Sequence, residues 1–129
     1  MLRVFALANG LAGVLMGACA LLQWNDPDPL QWMLFYAGGS GACLLASLRP
    51  RVWGLAAGVL AVAAAWALSL LPGADGVAPA DLTASMQAKD GAVEVARELG
   101  GQLLVGAWMV VLLVRRFRPA RQGQSSSIL

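Results

Sequence analysis

The chain has 129 residues and a formal net charge of +2, a length that suits one small domain. Apolar residues make up 59% and charged residues 12%, against about 45–50% and 25% in soluble domains, and the mean hydropathy is +0.68. This excludes a disordered chain and a nucleic-acid-binding tail, and a soluble fold of this size could not hide so much apolar surface.

Four stretches are apolar: 2–24, 30–48, 52–71 and 99–114. A helix needs about 20 residues to cross ~30 Å of hydrocarbon. The last stretch must therefore borrow about one turn upstream, reaching back to near Glu94. The expected architecture is all-α: an integral membrane four-helix bundle with up-down-up-down order. Its transmembrane domain covers 1–114, with spans at about 2–24, 30–48, 52–71 and 94–114. A basic and then disordered tail, 115–129, follows.

Four spans put both termini on one side. That side collects Arg3, Arg49, Arg51, Arg115, Arg116, Arg118 and Arg121 and no acid, while all seven acids fall on the other side with Lys89 and Arg97. The positive-inside rule makes the basic side cytoplasmic. The expected location is a bacterial inner membrane, as a multi-pass protein.

Along the first span, Gly10, Gly13 and Gly17 offer close-packing surface, and Asn9 is placed to bond to a neighbouring helix. The run Leu15-Met16-Gly17-Ala18-Cys19 looks like a lipoprotein cleavage site. Cleavage would remove most of the first span, and the residues after Cys19 stay apolar, so processing is disfavoured. Cys19 and Cys43 are expected at depths of about 8 Å and 20 Å at ~1.5 Å per residue. That is too far apart for a disulfide, so both read as free thiols. No His is present, which removes histidine catalysis and histidine metal sites.

The segment Gln23-Trp24-Asn25-Asp26-Pro27-Asp28-Pro29-Leu30-Gln31-Trp32 is the most distinctive in the chain. Asn25 suits a left-handed helix end, residues before proline favour extended backbone, and Asp28-Pro29 suits an N-cap and first helical position. A plain turn needs one capping acid; this one has two acids and an amide. Trp24, Trp32 and Trp53 are expected at the membrane interfaces, with Trp66 and Trp108 inside the bundle.

In the third span, Gly54 and Gly58 form a GxxxG. It reads as helix packing, within the bundle or between two copies of the chain. Pro72, Gly73, Gly76 and Pro79 then break the chain into a longer loop, with weak helical character at 81–88. At the start of the last span, Glu94 and Glu98 lie four apart and so share a helix face. Gln102 continues that stripe inward, and Arg97 can neutralise one acid. The arginines after the span, Arg115, Arg116, Arg118 and Arg121, anchor topology and attract anionic lipid.

In an antiparallel bundle the aspartate turn and the start of the fourth helix share one depth. The candidate ligand- or cation-binding residues are therefore Gln23, Asn25, Asp26, Asp28, Glu94, Arg97 and Glu98. A hard cation held by Asp26, Asp28, Glu94 and Glu98 fits this oxygen chemistry, as does a cationic head group or an amine. Solvated helix caps and ion pairs are the plain structural alternative.

The turn with Gln23 before it and Trp32 and Tyr36 after it resembles the transmembrane protein 220 family. A second match is Glu94-x-x-Arg97-Glu98-x-Gly100 opening the last span. The resemblance implies a small four-span membrane protein whose molecular activity is not assigned. The expected function is non-enzymatic: an accessory or binding protein with an acidic exterior-facing cluster, needing no cofactor and no nucleic acid. The alternatives are an enzyme using paired carboxylates on a lipid-linked substrate, and a small transporter. A transporter predicts water near Asn9 and Ser40; an enzyme predicts a roomy cleft beside the carboxylates.

Overall fold

A computed structural model of the chain describes residues 2–26, 28–49, 53–81 and 91–117. These residues form a helical membrane bundle of four long helices: α1 (Leu2–Leu22), α2 (Pro29–Leu48), α3 (Gly54–Leu70) and α4 (Gly91–Phe117). Short 3-10 turns, Gln23–Asn25 and Leu71–Ala74, extend α1 and α3. No strand occurs among the described residues. Helices are the natural outcome for such a sequence, because hydrocarbon offers the backbone no outside hydrogen-bond partner. The helical character expected at 81–88 lies outside the described residues beyond Asp81, as do Arg118, Arg121 and the rest of the tail.

The helix α4 is described from Gly91 onward. Glu94, Arg97 and Glu98 thus belong to its first two turns. Three segments, Arg3–Asn25, Gly54–Ala74 and Gly91–Phe117, are long and apolar enough to cross a membrane. The remaining helix, α2, is less apolar because it carries Gln31, Trp32, Tyr36 and a Gly-Gly-Ser-Gly run at 38–41. Its position accounts for this, since α2 packs against each of the other three helices. Much of its polar and small-residue surface meets protein rather than lipid.

Successive helices run antiparallel. Early α1 meets late α2, where Asn9 bonds to Cys43. Early α2 meets late α3, where Trp32 packs on Trp66. Early α3 meets late α4, where Trp53 packs on Phe117. The tightest pairs are α1 with α2 and α3 with α4. Large apolar side chains such as Leu7, Val14, Leu34, Leu44, Leu68 and Leu104 point outward. The interior holds smaller groups, including Ala42, Cys43, Ala56 and Ala63, around Val105 and Met109. Lipid gives helices no hydrophobic reason to associate, so contact depends on close packing and interhelical hydrogen bonds.

Asn9 supplies those bonds at one level of the bundle. It is only 1% exposed. Its Nδ2 donates to the Cys43 carbonyl at 2.8 Å and to Ser47 Oγ at 2.9 Å, both on α2. Its Oδ1 accepts from Trp108 Nε1 of α4 at 3.1 Å. Phe5 stacks on Trp108 with centroids 6.4 Å apart, and the Arg115 guanidinium lies 3.7 Å over the Phe5 ring. One level further along, Ser40 Oγ donates to the Gly13 carbonyl at 2.8 Å. That approach needs glycine: a Cβ on Gly13 would stand 3.1 Å from Cys43 Cβ.

Two packing expectations are corrected. Gly54 and Gly58 do not pack inside the bundle, since a Cβ on either meets nothing within 4 Å. The close-packing glycines are instead on α1, α2 and α4, at Gly13, Gly39 and Gly101 among others, while α3 turns Val59 and Ala63 to the core. Trp32 does not sit in an interfacial belt. It is buried, 4.4 Å from Trp66 and 6.3 Å from Phe35 between ring centroids. Trp24 and Trp53 are exposed, as expected for belt residues.

Asn9→Ala is expected to lower stability in detergent by about 1–3 kcal/mol, because the partly buried Trp108 N–H loses its acceptor. Equilibrium unfolding in mixed micelles checks this, and an unchanged midpoint would show that the network contributes nothing. Gly13→Val is expected to destabilise by about 1–3 kcal/mol through overpacking. In the same assay Gly58→Val should change stability by less than about 0.5 kcal/mol, as an outward-facing substitution does.

Candidate functional site

The site is assembled from the turn after α1, the first turns of α2 and the first turns of α4. The α1 helix does not end in a left-handed residue, and no non-glycine residue among those described has positive φ. Instead the chain tightens into the 3-10 turn Gln23–Asn25, closed by a bond from the Asp26 N–H to the Gln23 carbonyl at 3.0 Å. Asp26 is then extended, with φ −74° and ψ 154°. This is the conformation that a following proline imposes. Asp28 occupies the N-cap position of α2 with Pro29 behind it, but its side chain makes no capping hydrogen bond. The capping account of this turn is therefore only half realised: the position is used, and the carboxylate is left exposed.

At the same end, the 3-10 turn Leu71–Ala74 packs on α4. A Cβ on Gly73 would lie 3.1 Å from a methyl of Val95. This contact holds the start of α4 against the bundle. A further turn follows, with Gly76 at φ 79° and the Ala78 N–H donating to Asp81 Oδ2 at 3.0 Å.

Between the two acidic segments lies a pocket of about 200 Å³. Gln23 and Asp26 line it from the turn, Trp32 and Tyr36 from α2, and Glu94, Arg97 and Glu98 from α4. Five of the seven expected residues thus meet around one hollow. The other two do not join them. Asn25 is exposed at the end of its turn, and Asp28 borders a separate shallow hollow with Pro29, Leu30, Gln31 and Leu34.

Among the described residues, no three Cys, Asp or Glu side chains converge well enough to hold a metal ion. A Ca²⁺ site needs several oxygens at about 2.3–2.6 Å. Here the acids border a hollow and are spread around its rim, with one of them, Asp28, outside it.

Two residues were not foreseen as part of the site. Trp32 and Tyr36 lie one turn apart on α2, their rings 6.0 Å apart. Their four-residue spacing directly after the turn was the available signal, since it puts two aromatic faces under the acids. Tyr36 also lies against the backbone of α4: a Cβ on Gly101 would stand 2.5 Å from its hydroxyl. Beside Gly101, Gln102 is 1% exposed, and neither its amide nitrogen nor its amide oxygen has a hydrogen-bond partner among the described residues. Gln102 stands one helical turn below Glu98 on the same face. Gln102 is not among the residues that line the pocket.

No curated protein and no solved structure matches the chain. A family model does: that of transmembrane family 220, described as helical, covers residues 15–114, a stretch that holds the aspartate turn, both aromatic residues and the acidic start of α4. Three helices long and apolar enough to cross a membrane, and this match, make the chain an integral membrane protein that belongs to transmembrane family 220.

Proposed function

We propose that this is a non-enzymatic accessory or binding protein that takes up a cationic group in its acidic pocket. The observation that carries this reading is the pocket itself. Asp26 stands with Glu94 and Glu98 around one hollow, over the rings of Trp32 and Tyr36. Carboxylates favour a positive group by charge, and aromatic faces attract cations by their quadrupole, by about 0.5–2 kcal/mol. An amine satisfies both surfaces without needing several oxygens in its coordination shell. Arg97 is the internal charge partner that keeps the acidic cluster from repelling itself when no ligand is bound.

The same reading places the pocket at the outer face of a bacterial inner membrane and the arginines on the cytoplasmic side. Arg115 and Arg116, with Arg118 and Arg121 beyond them, attract anionic lipid there, at about 1 kcal/mol per charge near the surface. A Cβ on Gly54 or Gly58 would meet nothing within 4 Å, which leaves a small-residue face on α3 for a second copy of the chain.

Thermal unfolding of the purified protein in detergent tests the pocket. A primary amine at 100 times its dissociation constant should add about 2.7 kcal/mol to stability. Glu98→Gln and Asp26→Asn should each reduce or abolish this shift. No shift with any amine, or a shift untouched by both substitutions, would overturn the reading and leave the acids as helix-end charges.

A further inference from the structure

The helices α1 and α4 scarcely approach each other, and an apolar cavity of about 310 Å³ lies between them. Its α1 wall is Ala12, Leu15, Met16 and Cys19. Its α4 wall is Gly101, Leu104, Val105 and Trp108. Both sets follow the spacing i, i+3, i+4, i+7, which is one stripe along one helix face. Two apolar stripes, each about two turns or ~10 Å long, thus face each other across a gap. Met16 and Val105 are buried in it, whereas Leu15 and Leu104 are exposed at its rim.

The gap is closed along the helix axes and open to the side. At the Ala12 end, Trp108 reaches across to Asn9 of α1. At the Cys19 end, Tyr36 of α2 packs against Gly101 and stands between the cavity and the acidic pocket. The remaining side lies between Leu15 and Leu104. Both helices are among those long and apolar enough to cross a membrane, so this opening is continuous with the surface that they turn to the bilayer.

The chemistry of the walls selects the occupant. An unfilled gap forfeits van der Waals contact along both stripes. Water needs several polar partners to settle in a cavity, and the Trp108 N–H is already bonded to Asn9. Two turns of a helix ~10 Å across fill roughly 800 Å³, more than the cavity holds, so a second protein helix does not enter it. A lipid chain is thin and apolar, and it runs along the membrane normal as the two stripes do.

We infer that the seam between α1 and α4 is a lipid site that holds one acyl chain of a bilayer phospholipid, which enters sideways between Leu15 and Leu104 and lies along Met16 and Val105. The site recognises the chain and leaves the head group outside. The lipid supplies the contacts that α1 and α4 do not make with each other, and so completes the bundle on this side. No bond is made or broken. The acidic pocket, on the far side of Tyr36, takes no part.

The test uses the Cys19 thiol, which lines the cavity, whereas Cys43 is buried away from solvent. The purified full chain is exchanged into a detergent with a rigid sterol ring system, and alkylation by N-ethylmaleimide is followed by peptide mass spectrometry. Dioleoylphosphatidylcholine should slow alkylation of Cys19 at least about tenfold. Dioleoylphosphatidylglycerol should do the same, because the chain is what binds. Native mass spectrometry should find a phospholipid retained on the wild-type chain. Ala12→Phe and Leu104→Trp, which fill the groove from opposite walls, should each cut that retention about tenfold. Leu7→Trp, exposed and outside the cavity, should leave it unchanged. The protection of Cys19 needs no variant, so it decides the matter even where a variant fails to fold. Cys19 left unprotected by both lipids, protection by one head group alone, no retained phospholipid, or retention that neither groove variant lowers would overturn the inference.

Discussion

One buried amide ties three of the four helices together. Asn9 holds α1 to two positions on α2 and to Trp108 of α4, and α1 and α4 otherwise approach each other little. In lipid, apolar side chains gain nothing by leaving the solvent for the protein. A polar side chain without partners, by contrast, is strongly disfavoured in hydrocarbon. One asparagine that meets partners only when three helices are correctly placed therefore specifies register as well as adding stability. The glycines at its level act with it: without the close approach at Gly13, the Ser40 hydroxyl would not reach the α1 backbone.

That constraint also shapes the opposite end. Because the Asn9–Trp108 bridge draws α1 and α4 together only near the arginines, the helices separate toward the acidic turn. The opening is filled from the α2 side by Tyr36 and left apolar elsewhere. The aromatic cluster of Trp32, Phe35, Tyr36 and Trp66 fixes α2 against α3 at this level. It gives the acidic pocket a rigid floor, so the carboxylates are presented by a framework rather than by a mobile loop.

Asn9 and Gln102 illustrate two fates of a polar residue inside such a bundle. Both are 1% exposed. Asn9 makes three hydrogen bonds, and its amide is fully used in structure. Gln102 has none among the described residues. Intramembrane polar groups are costly, and Gln102 lies one helical turn from Glu98 without lining the acidic pocket.

The sequence by itself determined the class of the molecule. Four apolar stretches, punctuated by proline and arginine, left helices as the only structure lipid allows, and the chemistry of the Asn25–Asp28 turn and of Glu94–Glu98 was visible as residue types. Antiparallel order then brought Gln23, Asp26, Glu94, Arg97 and Glu98 to a common level. Tertiary structure decided what no spacing encodes. A helix has one polar axis and many faces, and which face turns inward depends on its neighbours' shapes. Hence Gly54 and Gly58 face outward, Trp32 turns from the interface into the core, and Asp28 falls outside the pocket that Asp26, Glu94 and Glu98 border. The division follows from the solvent: lipid makes helix formation a local matter of composition, whereas helix rotation is settled only by contacts between residues distant in the chain.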